Sequence, residues 1–242
     1  MFAKLFQKFN KKAEDQLDSS TVSERIQQLY KQKQYLDAYS EHTNIRVTID
    51  PHQAVGGMWE EIGKLQLDFL VAQGLLPSHK LLDIGCGTLR GGRHLVRYLD
   101  AGNYTGMDIS RKAIEYGKGL IRTEGLSAKR PTLHLSKNKD LKFGQLKGEA
   151  FDYLLAQSVF THLMPEHIEE CFQHVGTIMA IGGRFFFTFN EASEYMQGGV
   201  KDFMYPASFF DSLAEKYRFS LVDFSIEYGH PRGQKMLRIT KQ

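Results

Sequence analysis

Asp83, Gly85, Gly87 and Asp108 are the residues whose types and spacing first suggest chemistry. The stretch KLLDIGCGTLRGGRHL (80–95) passes from an apolar run into a basic segment through Gly85, Gly87, Gly91 and Gly92. Glycine is costly inside regular structure, and a plain strand-to-helix connection needs one at most. A turn that lays bare peptide against a ligand needs more. Asp83, just ahead of these glycines, is an acceptor for a cation. Asp108 follows Gly85 by 23 residues and ends the segment NYTGMDIS, where a carboxylate can accept both hydroxyls of a ribose. Its alternative use is to cap a helix beginning near Arg111. The dinucleotide pattern G-x-G-x-x-G starts at Gly85 but fails at Arg90, and the Gly-Lys-Ser/Thr ending of a phosphate loop is absent. A nucleotide cofactor with a positive group nearby fits these residues better than a bare triphosphate.

Such residues need a frame, and the chain supplies one after Pro77. KLLDIG, NYTGMDIS, PTLHLS, FDYLLAQSV and GRFFFTFN read as strands. GGRHLVRYLD, RKAIEYGKGLIRTEG, PEHIEECFQHVGTIMA and PASFFDSLAEKYR read as the helices between and after them. The alternation predicts a parallel sheet with helices on both faces. Two final extended runs, FSLVDFSIEYG and QKMLRIT, are joined by the turn HPRG and must therefore be antiparallel. Upstream, Ser20 to His42 predicts one or two amphipathic helices, DPHQAVGG (50–57) a turn, and MWEEIGKLQLDFLVAQGL a helix ended by Gly74 and Pro77. The glycine-rich stretch thus falls at the carboxyl end of the first strand, where open α/β sheets bind ligands.

LLDIGCGTLRGG, YTGMDIS, FDYLLAQSVFTHL and IGGRFFFTFN, in this order, resemble a class I S-adenosylmethionine-dependent methyltransferase. The resemblance covers about residues 55–242, with 1–54 as an N-terminal tail and helical extension. It implies an α/β fold with a seven-stranded, mostly parallel sheet whose last strand is antiparallel. The family's first motif reads acid-x-Gly-x-Gly-x-Gly; Asp83, Gly85 and Gly87 match it, while Leu89 stands at the last glycine and Gly91 and Gly92 are candidates for its packing role. By this resemblance Gly85, Cys86 and Gly87 pass under the methionine part of S-adenosylmethionine, Asp83 helps hold its ammonium and Asp108 its ribose. Ile109 offers the adenine an apolar face, and Asn138 or Asp140 can reach its amino group or remain solvated. Gln157 faces the cofactor. The family members that methylate DNA bases or protein glutamine carry an Asn/Asp-Pro-Pro-aromatic turn after the fourth strand. This chain has Gln157-Ser158-Val159-Phe160 there, which resembles methyltransferases of small molecules.

His162, just past Gln157, is the candidate general base, with a packing or capping role as its alternative. His94, His167 and His174 look ordinary. Trp59 is a candidate lid over the pocket or a core residue, and His230 and Arg232 are candidates to touch substrate from the HPRG turn. The resulting expectation is methyl transfer to a small-molecule or saccharide-like acceptor, at oxygen before nitrogen. The alternatives are a non-catalytic S-adenosylmethionine-binding module or partner subunit, and a protein or RNA methyltransferase.

The bulk numbers agree with a globular enzyme of this kind. The 242 residues are 42% hydrophobic and 24% charged, and a net charge of +3 gives no reason to expect nucleic acid as a partner. Cys86 and Cys171 have neither disulfide-framework nor metal-ligand spacing, so no metal is expected and a reducing cytoplasm is the natural compartment. No signal-peptide core or bilayer-length apolar run is present. The opening MFAKLFQKFNKK places Phe2, Leu5, Phe6 and Phe9 at helical spacing among lysines, as weak contact with an anionic membrane through residues 1–12 would require; a frayed terminus or a docked helix is the plainer alternative.

Overall fold

Every residue of the first strand, β1 (Leu81–Ile84), is buried, as a strand covered on both faces requires. In the computed structural model, which describes residues 19–241, β1 pairs in parallel with β2 (Tyr104–Asp108) and with β4 (Phe151–Ala156). The parallel run continues to β3 (Thr132–Leu135) on one side and β5 (Met179–Glu191) on the other. The closing strand β9 (Lys235–Lys241) lies antiparallel against β5 and carries β8 (Phe219–Asp223) at its outer edge. The order β3-β2-β1-β4-β5-β9-β8 is the mostly parallel seven-stranded sheet with an antiparallel finish that the family resemblance implies. An unexpected ribbon, β6 (Met196–Gly198) and β7 (Asp202–Tyr205), pairs with the far end of β5 through Asn190 and Glu191 and brings the strands to nine among the described residues. The basic segment 1–12 lies outside the described residues.

Strand periodicity sends neighbouring residues to opposite faces. Leu82, Ile84, Leu154, Phe185 and Phe187 share one cluster with Ile168 and Phe172 of α7 (Pro165–Val175) and Phe210 of α8 (Ala207–Lys216). Leu81, Tyr153, Leu155 and Phe186 share the other with Phe69 of α4 (Trp59–Ala72), Leu95 of α5 (Gly92–Tyr98) and Ile114 of α6 (Arg111–Thr123). Each fully buried Phe or Leu contributes about 1.5–3 kcal/mol, so two dense faces hold the strand ends in fixed relation. Two expected boundaries shift. α7 stops at Val175, because Thr177-Ile178-Met179 leads into β5 rather than continuing the helix. The run expected extended to 229 leaves the sheet at Asp223, whose Oδ1 accepts the Ser225 N–H (2.7 Å) and opens the short helix α9 (Ser225–Tyr228).

The N-terminal part folds over the carboxyl edge of the sheet as α1 (Ser19–Gln32), α2 (Tyr35–Ile49) and the single turn α3 (Pro51–Ala54). α2 is fastened by side chains. Ser40 Oγ donates to the Ile109 carbonyl (2.9 Å), and Asn44 Oδ1 accepts from Ser110 Oγ (2.8 Å) and the Lys112 N–H (3.0 Å). Ser110 is the N-cap of α6, its Oγ accepting the Ala113 N–H (3.1 Å), so Asp108 is left for other work.

Candidate active site

A cavity of about 450 Å³ lies along the carboxyl ends of β1, β2 and β4, with α2 and the 53–56 segment as its outer wall. Its floor is the glycine turn. Gly85 has φ +68° and Gly87 φ +53°, and a Cβ on either would stand 2.5 Å from Val159 Cγ2 or 2.7 Å from Val55 Cγ1, so only bare peptide fits between these walls. Leu89 keeps the path expected of the glycine it replaces: it has φ +69° and its side chain is fully buried, a left-handed leucine that costs about 1–2 kcal/mol and is held by packing. Gly92 approaches Tyr104 and Leu89 too closely for any side chain, which gives it the packing role.

The two acids stand at the ends of neighbouring strands. Asp83, 4% exposed, accepts a hydrogen bond from Tyr104 Oη (2.7 Å), and burial pushes its pKa up to about 7, with the nearby Asp108 adding to the rise. Asp108 accepts the Gly87 N–H (2.9 Å) on Oδ2 and the Ser110 N–H (2.7 Å) on Oδ1, ties that limit a rise caused by its enclosure. Each oxygen of an ionised Asp108 retains lone-pair capacity toward the cavity. A bare peptide turn flanked by one carboxylate able to meet a cation and another able to meet a diol suits an adenosyl sulfonium with an ammonium group. Cys86 lines the same wall; burial pushes its thiol up, so it is not a nucleophile there.

The other candidates fall in two sets. Ile109, Asp140 and Gln157 line the cavity, and Asn138 does not. Gln157 is fixed in place: its Oε1 accepts from Tyr228 Oη and its Nε2 donates to Ser158 Oγ (2.9 Å) and Gln234 Oε1 (3.3 Å). His230 and Arg232 also line the cavity, His230 with a buried, unpartnered Nε2 and a pKa held down to about 4 by burial, then by Arg90 and Arg232. Arg232 donates to the Gly56 carbonyl, and Arg90 to the carbonyls of Val55 (2.7 Å) and Gly57 (2.9 Å), so the two guanidinium groups pin the 55–57 segment to the sheet edge. Trp59 is outside the cavity, stacked on His52 at 3.8 Å with the Arg93 guanidinium 5.4 Å from its ring centre. It props the segment from behind.

His162 lines the opposite end. Its Nδ1 lies 3.0 Å from the Lys201 carbonyl and 3.2 Å from Asp202 Oδ1. Burial works against ionisation of Asp202, yet hydrogen bonds from His162 and Lys201 bring its pKa down to about 2. Tyr39 of α2 stands beside His162 (ring centres 5.4 Å apart) and beside His42 (6.4 Å). Sequence reasoning missed Tyr39, His42, Lys201 and Asp202. Gly198-Gly199 between MQ and VKDFMY was a readable hairpin signal for Asp202, but nothing local ties it to His162. Among the described residues no group of His, Cys, Asp or Glu could hold a metal ion, and no helix is long and apolar enough to cross a membrane.

Comparison with known proteins gives the same class. Residues 82–185 match the family model described as a methyltransferase domain. The fold is similar to magnesium protoporphyrin IX methyltransferase of Synechocystis with bound S-adenosylmethionine, at 16% identity over 87% of this chain and 98% of that one, with a TM-score of 0.64. It is similar to phosphoethanolamine N-methyltransferase 2 of Haemonchus contortus, solved with phosphomonomethylethanolamine and S-adenosylhomocysteine, at 12% identity over 87% and 61% of the chains and a TM-score of 0.66. A TehB-like S-adenosylmethionine-dependent methyltransferase of Corynebacterium glutamicum matches at 21% identity over 85% and 99%, with a TM-score of 0.57. At these identities the likeness is one of fold. With the matched domain and the glycine turn between two acids, it supports assignment to the class I S-adenosylmethionine-dependent methyltransferases.

Proposed function

We propose that this methyltransferase acts on a hydroxyl of a small-molecule or saccharide-like acceptor. The observation that supports this most is the environment of His162. Both groups beside its Nδ1, the Lys201 carbonyl and the Asp202 carboxylate, are acceptors, so the proton resides on Nδ1 and Nε2 keeps its lone pair. Among the described residues Nε2 has no hydrogen-bond partner. An imidazole with Nε2 free on a cavity wall is placed to take a proton from an alcohol or phenol, which a carboxylate or amine acceptor would not require.

Bound S-adenosylmethionine would supply an electrophilic methyl group, and the chain has little covalent chemistry of its own to perform. Gly85 to Gly87 and Asp108 would hold the nucleoside part, and Asp83 would face the ammonium. The 55–57 segment, tied down by Arg90 and Arg232, would keep water from the reacting end. Gln157, locked by Tyr228 and Gln234, would form the rigid side wall against which the acceptor is aligned. Cys86 and Cys171 are both free and buried, which suits the reducing cytoplasm.

The test is product formation: S-adenosylhomocysteine release measured across a panel of phenols, sugars, amines and carboxylic acids. Turnover with hydroxyl acceptors, lost in His162→Gln, is the expected result. Cofactor binding by calorimetry without turnover on any acceptor would favour a binding module instead, and turnover confined to amines would refute the oxygen assignment.

A further inference from the structure

His42 is 7% exposed and lines the cavity, yet it takes no part in the chemistry above. Tyr30 Oη lies 3.0 Å from its Nδ1, and no other acceptor among the described residues is available to that phenol. Burial keeps the phenol protonated, and with Nδ1 the one acceptor in its reach among the described residues we assign its proton to the bond to Nδ1. His42 itself is held neutral, with a pKa lowered to about 4 by burial and then by Lys201, Arg46 and His162. The remaining proton of the ring is therefore on Nε2, which has no acceptor among the described residues. An N–H that opens onto the cavity with no such protein acceptor is placed to donate to a ligand oxygen.

The charges around His42 say what kind of oxygen. The groups facing it are Tyr30, Tyr39, His162, Lys201, Arg46 and Asp202. Asp202 is already committed to His162 and Lys201. Arg46, one turn along α2 from His42, lines the cavity, and among the described residues no carboxylate lies within ion-pair distance of it. A neutral N–H donor in a positive field, beside an uncommitted guanidinium, is the reverse of a site for an amine.

We infer that His42 and Arg46 bind an anionic oxygen group, a carboxylate or a phosphate, carried by the methyl acceptor. The inference rests on reading the cavity as a methyltransferase site. Tyr39 lies between the two histidines, so the anionic group would be anchored at His42 while the reacting hydroxyl lies at His162, with the acceptor's apolar body along the Tyr39 ring. The two imidazoles are thus fixed in opposite tautomers, one presenting a proton and the other a lone pair.

The test uses histidine labelled with nitrogen-15 in the full chain, His42 being assigned from His42→Gln, with long-range proton–nitrogen spectra to read each tautomer. His42 should show the Nε2–H form from pH 5 to 8. Benzoate and phenyl phosphate should shift its Nε2 resonance saturably, benzyl alcohol at equal concentration should not, and whichever anion binds tighter identifies the group. Arg46→Gln, at an exposed position, should weaken the anion about tenfold, the loss of one charge-assisted hydrogen bond. An Nδ1–H tautomer, benzyl alcohol binding as well as benzoate, or an unchanged affinity in Arg46→Gln would overturn the inference. S-adenosylhomocysteine titrated into the same samples separates the two readings: its binding without anion binding refutes the anionic acceptor alone, whereas its failure to bind refutes the methyltransferase site.

Discussion

Asp83 holds a proton in the free protein across a range where an ordinary aspartate has lost it, and ligand binding must expose that proton. Burial raises its pKa from 3.8 to about 7, assisted by Asp108 and opposed by the Tyr104 hydroxyl and Arg90. Between these values the folded chain binds one proton more than the unfolded chain. The unfolding free energy therefore falls by about 1.4 kcal/mol per pH unit, about 4 kcal/mol in all. The contribution is complete below pH 4 and is lost as the pH rises through 7. A cation seated beside Asp83 favours the carboxylate, so binding expels the proton. At pH 6 about nine in ten Asp83 side chains are protonated and at pH 7.5 about one in four. Calorimetry of S-adenosylmethionine binding in two buffers of different ionisation enthalpy should accordingly read the release of about 0.9 proton per ligand at pH 6 and about 0.25 at pH 7.5. The affinity should rise roughly tenfold per pH unit below 7. Asp83→Asn keeps the shape and removes the titration, so it should release almost no proton and lose that slope. Buffer-independent enthalpies at pH 6 in the parent, or the full slope retained in Asp83→Asn, would refute the reasoning.

The other expectations concern the same wall. Gly85→Ala would combine a left-handed backbone with a Cβ 2.5 Å from Val159; urea unfolding should show a loss of about 2–4 kcal/mol, and cofactor affinity should drop at least tenfold, since the new methyl group enters the cavity floor. Asp108→Asn cannot satisfy both the Gly87 and Ser110 N–H groups and a ligand diol with one acceptor oxygen; S-adenosylhomocysteine affinity should fall about 10–100-fold by calorimetry, the worth of one charge-assisted hydrogen bond. Trp59→Ala removes the stack on His52 and the Arg93 contact; the melting temperature should fall by about 4–8 °C for about 2 kcal/mol while cofactor affinity stays within twofold. A Trp59→Ala protein that loses cofactor binding would place the indole in the cavity after all.

What was legible in the sequence is what local rules decide. β1 reads as buried because a strand covered on both faces carries no polar alternation, and the turn at Gly85 and Gly87 reads from the backbone angles it needs. Leu89 shows the limit of that logic: packing around a buried leucine imposes the angle that glycine would have adopted freely. Trp59 shows another, since a large aromatic at a helix start gives no sign of which neighbour it will stack on. At the far end of the cavity only His162 was legible, because the contacts there join distant segments. Tyr35 Oη donates to the His162 carbonyl across 127 residues, and Ser40 reaches Ile109 across 69. No periodicity carries information over such separations.

The cavity is consequently two structures with different origins. The cofactor end is made of strand termini, whose positions follow from the hydrogen-bonded register of the sheet and two packed faces. The His162 end is made of side chains from α2, the β6–β7 ribbon and the turn after β4, held to one another by a few polar contacts such as Tyr35 with His162 and His162 with Asp202. The first must keep its shape for any acceptor, and the second can change residue by residue without disturbing the sheet. The two are nevertheless joined at one place. Asn44 of α2 braces Ser110, whose N–H holds Asp108 in position, while His42 and Arg46 of the same helix face the other end. A ligand that settles α2 from the His42 side therefore also steadies the Asp108 carboxylate, and binding at the two ends should be mutually reinforcing, because any displacement of that one helix is felt at both.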